Sequence, residues 1–164
     1  MYIGLMSDSH SNYDTIMRAL DYFSNNNICT IFHAGDLDSS GMISCFKGFN
    51  FYLAAGNCDD IADFLPVMQS FGMQDIAYQQ NLKIDNKKYM ICHGNDRKII
   101  NEAILHKSSD FIIRGHSHAV ENYTSNGVRV INPGALYRSP RYTVGIFNTE
   151  NEDLQIVEIE KSIF

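Results

Sequence analysis

At 164 residues, with 45% hydrophobic and 20% charged side chains, the chain has the make-up of an ordinary globule and is long enough to bury roughly 70% of its unfolded surface. A formal charge of −6 argues against a broad phosphate-backbone interface, which needs many lysines and arginines. No apolar run approaches the roughly 20 residues of a membrane span, and Met1-Tyr2-Ile3-Gly4 lacks a basic leader, so neither membrane insertion nor export is expected.

The chain opens with a strand pattern over about 2–7. Ser11-Asn12 then starts an apolar-periodic helix through Ile16, Ala19, Leu20 and Phe23. Asn25-Asn26-Asn27 returns it to a strand at 28–33, so the start reads as βαβ with a parallel pair. A short helix over Met42–Lys47 and a strand at 49–55 complete a second unit. Between Asp59 and Met73 the pattern is mixed, with Pro66 and Gly72 as breakers, and reads as a short helix or irregular loop over the sheet edge. Runs at 76–84 and 88–92 flank the turn Asp85-Asn86-Lys87, a helix spans Lys98–Lys107, and a strand follows at 110–114. Two hairpins close the sequence: 120–124 with 128–131 around Asn126-Gly127, and 141–148 with 153–160 around Glu150-Asn151-Glu152. Parallel βαβ units first and hairpins later predict one α/β (α+β) domain over 1–164, with two sheets face to face and helices outside.

Metal-ligand residue types recur where the apolar runs stop. Asp8 and His10 follow the first run, Asp36 follows Ala34-Gly35, Asn57 follows 51–55, His93 follows 89–92, and His116 and His118 follow 111–113. In open α/β sheets, ligands bind outside the carboxyl ends of the strands, so seven residues far apart in sequence are placed to converge. Taken singly, each has an ordinary reading: Asp8 as a helix cap, Asp36 as a turn residue, any histidine as a satisfied polar group. Recurrence at five strand ends favours a metal site. His33, just inside its strand, reads as structural or as a support behind the ligands, and His106 as a solvated helix flank. Cys58 fits an inert thiol, a weak ligand or a substrate-side residue. Cys29, Cys45, Cys58 and Cys92 form no Cys-x-x-Cys pair, which points to a reducing, cytoplasmic setting.

Asp8-x-His10, Gly35-Asp36, Gly56-Asn57-Cys58-Asp59, His93-Gly94 and Gly115-His116-x-His118, in this order, resemble the motif set of the calcineurin-like metallophosphoesterases over residues 3 to about 147. The short chain, Cys58 in place of a histidine, and Asn132-Pro133-Gly134 are similar to the small YfcE-type phosphodiesterase branch. The resemblance implies the four-layer αββα metallophosphoesterase fold, two mixed β-sheets flanked by helices. It also implies two divalent metals: Asp8, His10, Asp36 and His118 would hold one, and Asp36, Asn57, His93 and His116 the other, with Asp36 bridging. Asp36, Asn57, His93 and His116 would then carry the catalytic role, in phosphodiester hydrolysis by a metal-bridging hydroxide. The donor set suits Mn²⁺ first, with Zn²⁺, Fe²⁺ or Ni²⁺ as alternatives. Cys58, Asn12 and Arg141 are the substrate-side candidates, with Arg97 and Arg138 as further phosphate-holding cations.

The partners implied are a small phosphodiester, no membrane, no extended nucleic acid, and a second copy in a homodimer or small homo-oligomer. Phe46, Phe49, Phe64, Phe71 and Tyr78 are the apolar residues offered for that contact. Two other functions share the pattern: phosphomonoester hydrolysis, and a metal-binding scaffold like the retromer subunit of this fold, whose signature is a replaced ligand. All seven ligand positions are intact here.

Overall fold

The computed structural model describes residues 1–160. The first sheet holds β1 (Tyr2–Met6), β2 (Thr30–His33), β3 (Asn50–Leu53), β9 (Tyr142–Asn148) and β10 (Leu154–Ile159), in the order β10-β9-β1-β2-β3. The second holds β4 (Gln79–Ile84), β5 (Lys87–Cys92), β6 (Phe111–Ile113), β7 (Val120–Ser125) and β8 (Val128–Pro133), in the order β4-β5-β6-β8-β7. Strands β1, β2 and β3 run parallel, as do β5, β6 and β8, while hairpin partners supply the antiparallel edges.

The period of two along each strand separates the layers. Ile3 and Leu5 of β1, Tyr89 and Ile91 of β5, and Phe111 and Ile113 of β6 meet in one cluster between the sheets. The alternate residues face the helices. Met90, Cys92 and Ile112 pack against Ile100 and Ala103 of α3 (Arg97–His106). Met6, Ile31, Phe51 and Leu53 pack against α1 (Tyr13–Asn25) and α2 (Ile61–Ser70). The result is the expected αββα sandwich. Gly4 permits the close seating of α1, because a Cβ there would stand 2.8 Å from the Phe23 ring.

The structure sharpens three sequence expectations. The segment read as a helix over Met42–Lys47 is a 3-10 helix, Ser40–Phe46. Its buried residues, Ile43 and Phe46, lie three apart, the repeat of that tighter turn. The ambiguous stretch after Asp59 holds a regular helix, α2, started by the Asp60 carboxylate accepting the Ala62 N–H at 3.0 Å. Pro66 lies within it on the exposed side, while Phe64 and Met68 reach the core. Of the five aromatics offered for self-association, Phe46 and Phe64 are fully buried, Phe49 packs against the core, and only Phe71 and Tyr78 are exposed.

Candidate metal centre

Six parallel strands end on one side of the sandwich, and the loops that follow them supply the site. From the first sheet come Asp8 and His10 after β1, Asp36 after β2, and Asn57 and Cys58 after β3. From the second come His93 after β5, and His116 and His118 after β6. To turn so soon after a strand, the backbone adopts positive φ at Asp8 (52°), His10 (43°), Asp36 (57°), His116 (71°) and His118 (55°). Asp and His tolerate this region better than bulky residues, but such a cluster of sparsely populated angles marks a functional surface. Gly35, at φ 93°, admits no side chain, since a Cβ would lie 2.8 Å from both the Gly56 nitrogen and His93 Nδ1.

The ligand-type atoms meet closely. Asp8 Oδ1 is 3.3 Å from His118 Nε2 and 4.0 Å from His93 Nε2. Asp36 Oδ2 is 3.2 Å from His93 Nε2 and 3.7 Å from His10 Nε2. His116 Nδ1 is 3.2 Å from His93 Nε2. Within each of the sets Asp8/His10/His118, His10/Asp36/Cys58 and Asp8/Asp36/His93, one atom per residue lies within 4.8 Å of the others. This convergence of imidazole nitrogens with two buried or nearly buried carboxylates fits divalent cations by its donor chemistry.

Two of the rings are aimed from behind. His93 Nδ1–H donates to the Ala34 carbonyl at 2.8 Å, which leaves Nε2 facing the cleft. His10 Nδ1–H donates to the Asp38 carboxylate at 3.0 Å, likewise freeing Nε2; a carboxylate behind a ligating histidine fixes both tautomer and ring orientation. The Asp8 carboxylate accepts the Ser7 hydroxyl and the His116 N–H. Asp59 turns its back on the cleft. Its carboxylate accepts the N–H groups of Asp36, Leu37, Asp38 and Gly56 at 2.8–2.9 Å, tying the second and third loops together. Buried Asn132 does the same between β8 and the histidine loop, donating to the Gly115 carbonyl and Ser117 Oγ, both at 3.0 Å.

The charges are coupled. Burial would raise the Asp36 pKa, but the His93 hydrogen bond and the Cys58 N–H hold it down at about 2. Burial works against a charged His93 too, yet the Asp36 carboxylate and the Ala34 carbonyl outweigh it and raise its pKa. The Cys58 thiol is pushed up to about 11 by desolvation and by the Asp36 and Asp38 charges. His33 is fully buried: Gly35 N–H donates to its Nδ1 at 3.2 Å, and its Nε2 lies 2.9 Å from Ser9 Oγ. Burial lowers its pKa to about 3. It sits beneath the loops that carry Asp8, His10 and Asp36, and His106 is exposed.

A cleft of about 290 Å³ opens over these groups, with Asn57 and Cys58 on one wall and Tyr137 and Arg138 on another. Of the substrate-side candidates, Cys58 is therefore in the cleft. Asn12 instead donates to the Leu136 carbonyl at 3.0 Å, bracing the Tyr137 loop. Arg141 lines the adjoining cavity and lies 4.0 Å from Glu158, whereas Arg138 reaches the metal cleft and covers the Tyr137 ring at 5.1 Å. Sequence reading missed Asp38, Asp59 and Tyr137. Asp38 was within reach, since Asp36-x-Asp38 repeats the alternate spacing of Asp8-x-His10.

The family model described as the calcineurin-like phosphoesterase superfamily domain matches residues 1–152. Phosphodiesterase MJ0936 of Methanocaldococcus jannaschii is 30% identical over 168 residues, covering 98% of this chain and 100% of that protein. A solved archaeal phosphodiesterase superposes with a TM-score of 0.90 at 29% identity, covering 97% of this chain and 100% of the other. Vps29 of Entamoeba histolytica, solved with Zn²⁺, shares the fold at a TM-score of 0.68 and 20% identity, covering 96% and 91%.

Proposed function

The chain belongs to the calcineurin-like phosphoesterase superfamily, and from that premise we propose that it is a dinuclear, metal-dependent phosphodiesterase. The observation that carries the reading is the position of Asp36, whose one carboxylate faces both His10 and His93, as a bridging ligand would. Asp8, His10, Asp36 and His118 would hold one ion, and Asp36, Asn57, His93 and His116 the other. When bound, such a pair supplies Lewis acidity at the phosphoryl oxygens and an activated water.

The remaining work falls to the chain. Asp38 and the Ala34 carbonyl keep the ring nitrogens of His10 and His93 turned inward. Asp59 keeps the Asp36 loop in its left-handed turn. Arg138, a cation that is not a ligand, faces the space where phosphate oxygens would lie. Cys58, a weaker acid than the histidine it replaces and without its charge, gives less help to a departing alkoxide, which suits esters with good leaving groups.

Mn²⁺ is the first choice of ion. The protein is placed in the cytoplasm, where the exposed thiols of Cys29 and Cys58 would stay reduced; among the described residues no helix is long and apolar enough to cross a membrane. It acts as a single domain and as a homodimer or small oligomer, with Phe71 and Tyr78 among the exposed aromatics available for contact. Light scattering giving a monomer mass at micromolar concentration would remove that last element. The central test strips the protein of metal, restores Mn²⁺ or Zn²⁺, and measures turnover on matched phosphodiesters and monoesters. Two bound equivalents without turnover of either class would favour the scaffold alternative.

A further inference from the structure

Beyond the metal cleft lies a larger cavity of about 580 Å³, within the roughly 300–1,000 Å³ of small-molecule pockets. It occupies the opening between the edge strands β7 and β10, with Val120 from one sheet and Ile156 from the other on its walls. His118 lines both this cavity and the metal cleft. The segment 137–141 forms a shared partition, since Tyr137 and Arg138 line the cleft and Ser139, Pro140 and Arg141 line the cavity. A group bonded to phosphorus in the cleft can therefore extend past His118 into the cavity without leaving the protein surface.

We propose that this cavity is the subsite for the ester substituent that stays on phosphorus, and that it takes a neutral, hydroxyl-bearing ring group of nucleoside size. The proposal rests on the phosphodiesterase reading, with the leaving group on the opposite, Cys58 wall. Three features select the occupant. Val120, 47% exposed, and Ile156 offer apolar surface to the face of a ring. The Thr143 hydroxyl donates to the Pro133 carbonyl at 2.7 Å and keeps its lone pairs for a hydroxyl donor. Arg141 and Glu158 stand 4.0 Å apart on the rim, 76% and 57% exposed, so their attraction is weak and their charges offset. A rim without net charge gives no advantage to a second phosphate and suits a neutral polar group. A monoester, having only one substituent, would lose either the cavity or the leaving-group wall.

Thymidine 5′-p-nitrophenyl phosphate and methyl p-nitrophenyl phosphate test this, because they share a leaving group and differ in the substituent retained. In both, water's oxygen bonds to phosphorus as the P–O bond to p-nitrophenolate breaks; the phenolate leaves with the electron pair and the proton lost by water goes to solvent. The expected result is a kcat/KM at least tenfold higher for the thymidine ester, carried mainly by KM, with the ratio collapsing toward one in Val120→Trp, whose indole would fill the cavity from an exposed strand start. Alongside, thymidine 5′-monophosphate titrated into the Zn²⁺-loaded protein should shift the Val120 and Ile156 amide resonances. Hydrolysis of both esters at equal efficiency, or a ratio that survives in folded Val120→Trp, overturns the subsite and leaves the diesterase reading intact. Shifts at Val120 and Ile156 in a protein that hydrolyses neither ester would keep the subsite and overturn the diesterase reading; no shift at either residue overturns the subsite.

Discussion

The two oxygens of Asp36 look in different directions: Oδ1 accepts the Cys58 N–H at 2.9 Å, and Oδ2 faces His93 and His10. In the dinuclear proposal Asp36 is the ligand shared by both ions, so its loss would reach both. Asp36→Asn should therefore bind fewer than two metal equivalents by elemental analysis and lose more activity than any other single ligand change. Near-normal turnover with both ions retained would falsify the bridging role. Cys58 carries a second residue-level expectation. A neutral thiol carries no charge to stabilise a basic leaving group and is a weaker acid than an imidazolium, and general-acid help is typically worth about 10²–10⁴-fold. Wild type should then cleave aryl diesters well and alkyl esters poorly, and Cys58→His should narrow that gap and favour monoesters. Rates on matched aryl and alkyl esters decide it; an unchanged leaving-group dependence removes Cys58 from the selectivity argument.

Among the elements, α2 carries an internal Pro66 whose missing N–H leaves one helical hydrogen bond unmade. Because Pro66 is exposed and the apolar contacts belong to Phe64 and Met68, Pro66→Ala should restore the bond without disturbing packing. A gain of about 1–3 kcal/mol is expected, read as a higher urea midpoint at unchanged m; a loss would mean that the proline bends α2 into its seat. The same element explains what the sequence concealed. The strands were legible because their buried runs are continuous and bounded by polar turns, and the convergence of the candidate ligands was legible because they stand at the ends of those runs. Pro66 masked a helix whose register is set by Asp60 and by the core, and the 3-10 helix is too short for periodicity to separate from an α-helix. Direction was equally hidden. Whether Arg138 or Arg141 faces the metals depends on the φ of 46° at Arg138 and the turn that follows, and Asp59 acts through backbone N–H groups, which leave no trace in side-chain spacing.

At the scale of the molecule, the site is a joint between sheets, with Asp8, His10, Asp36 and Asn57 from one and His93, His116 and His118 from the other. Metal binding should brace that joint. At free metal one hundred times Kd, each ion would add about 2.7 kcal/mol to the unfolding free energy, so chelation should lower the urea midpoint markedly; equal midpoints with and without EDTA would argue against both ions. Buried His33 sets a pH dependence of the opposite kind from a paired histidine. Burial lowers its pKa to about 3, so the unfolded chain, titrating near 6.5, takes up a proton that the native state refuses. Its contribution is complete above pH ~6.5 and falls as the solution is acidified toward pH ~3. In chelated protein, the stability of wild type relative to a non-titrating His33→Gln should drop by about 1.4 kcal/mol between pH 7.5 and 5.5, and a constant difference would exclude this. A further consequence lies in the order of the first sheet. β1 pairs on one side with β2 and on the other with β9, so that Ile3 lies beside Phe147. During synthesis β1 therefore waits for β9 before its second edge closes. Every candidate ligand has by then been made while the sheet bearing four of them stays open-edged, so β1 is expected to be a point of mispairing as the chain emerges.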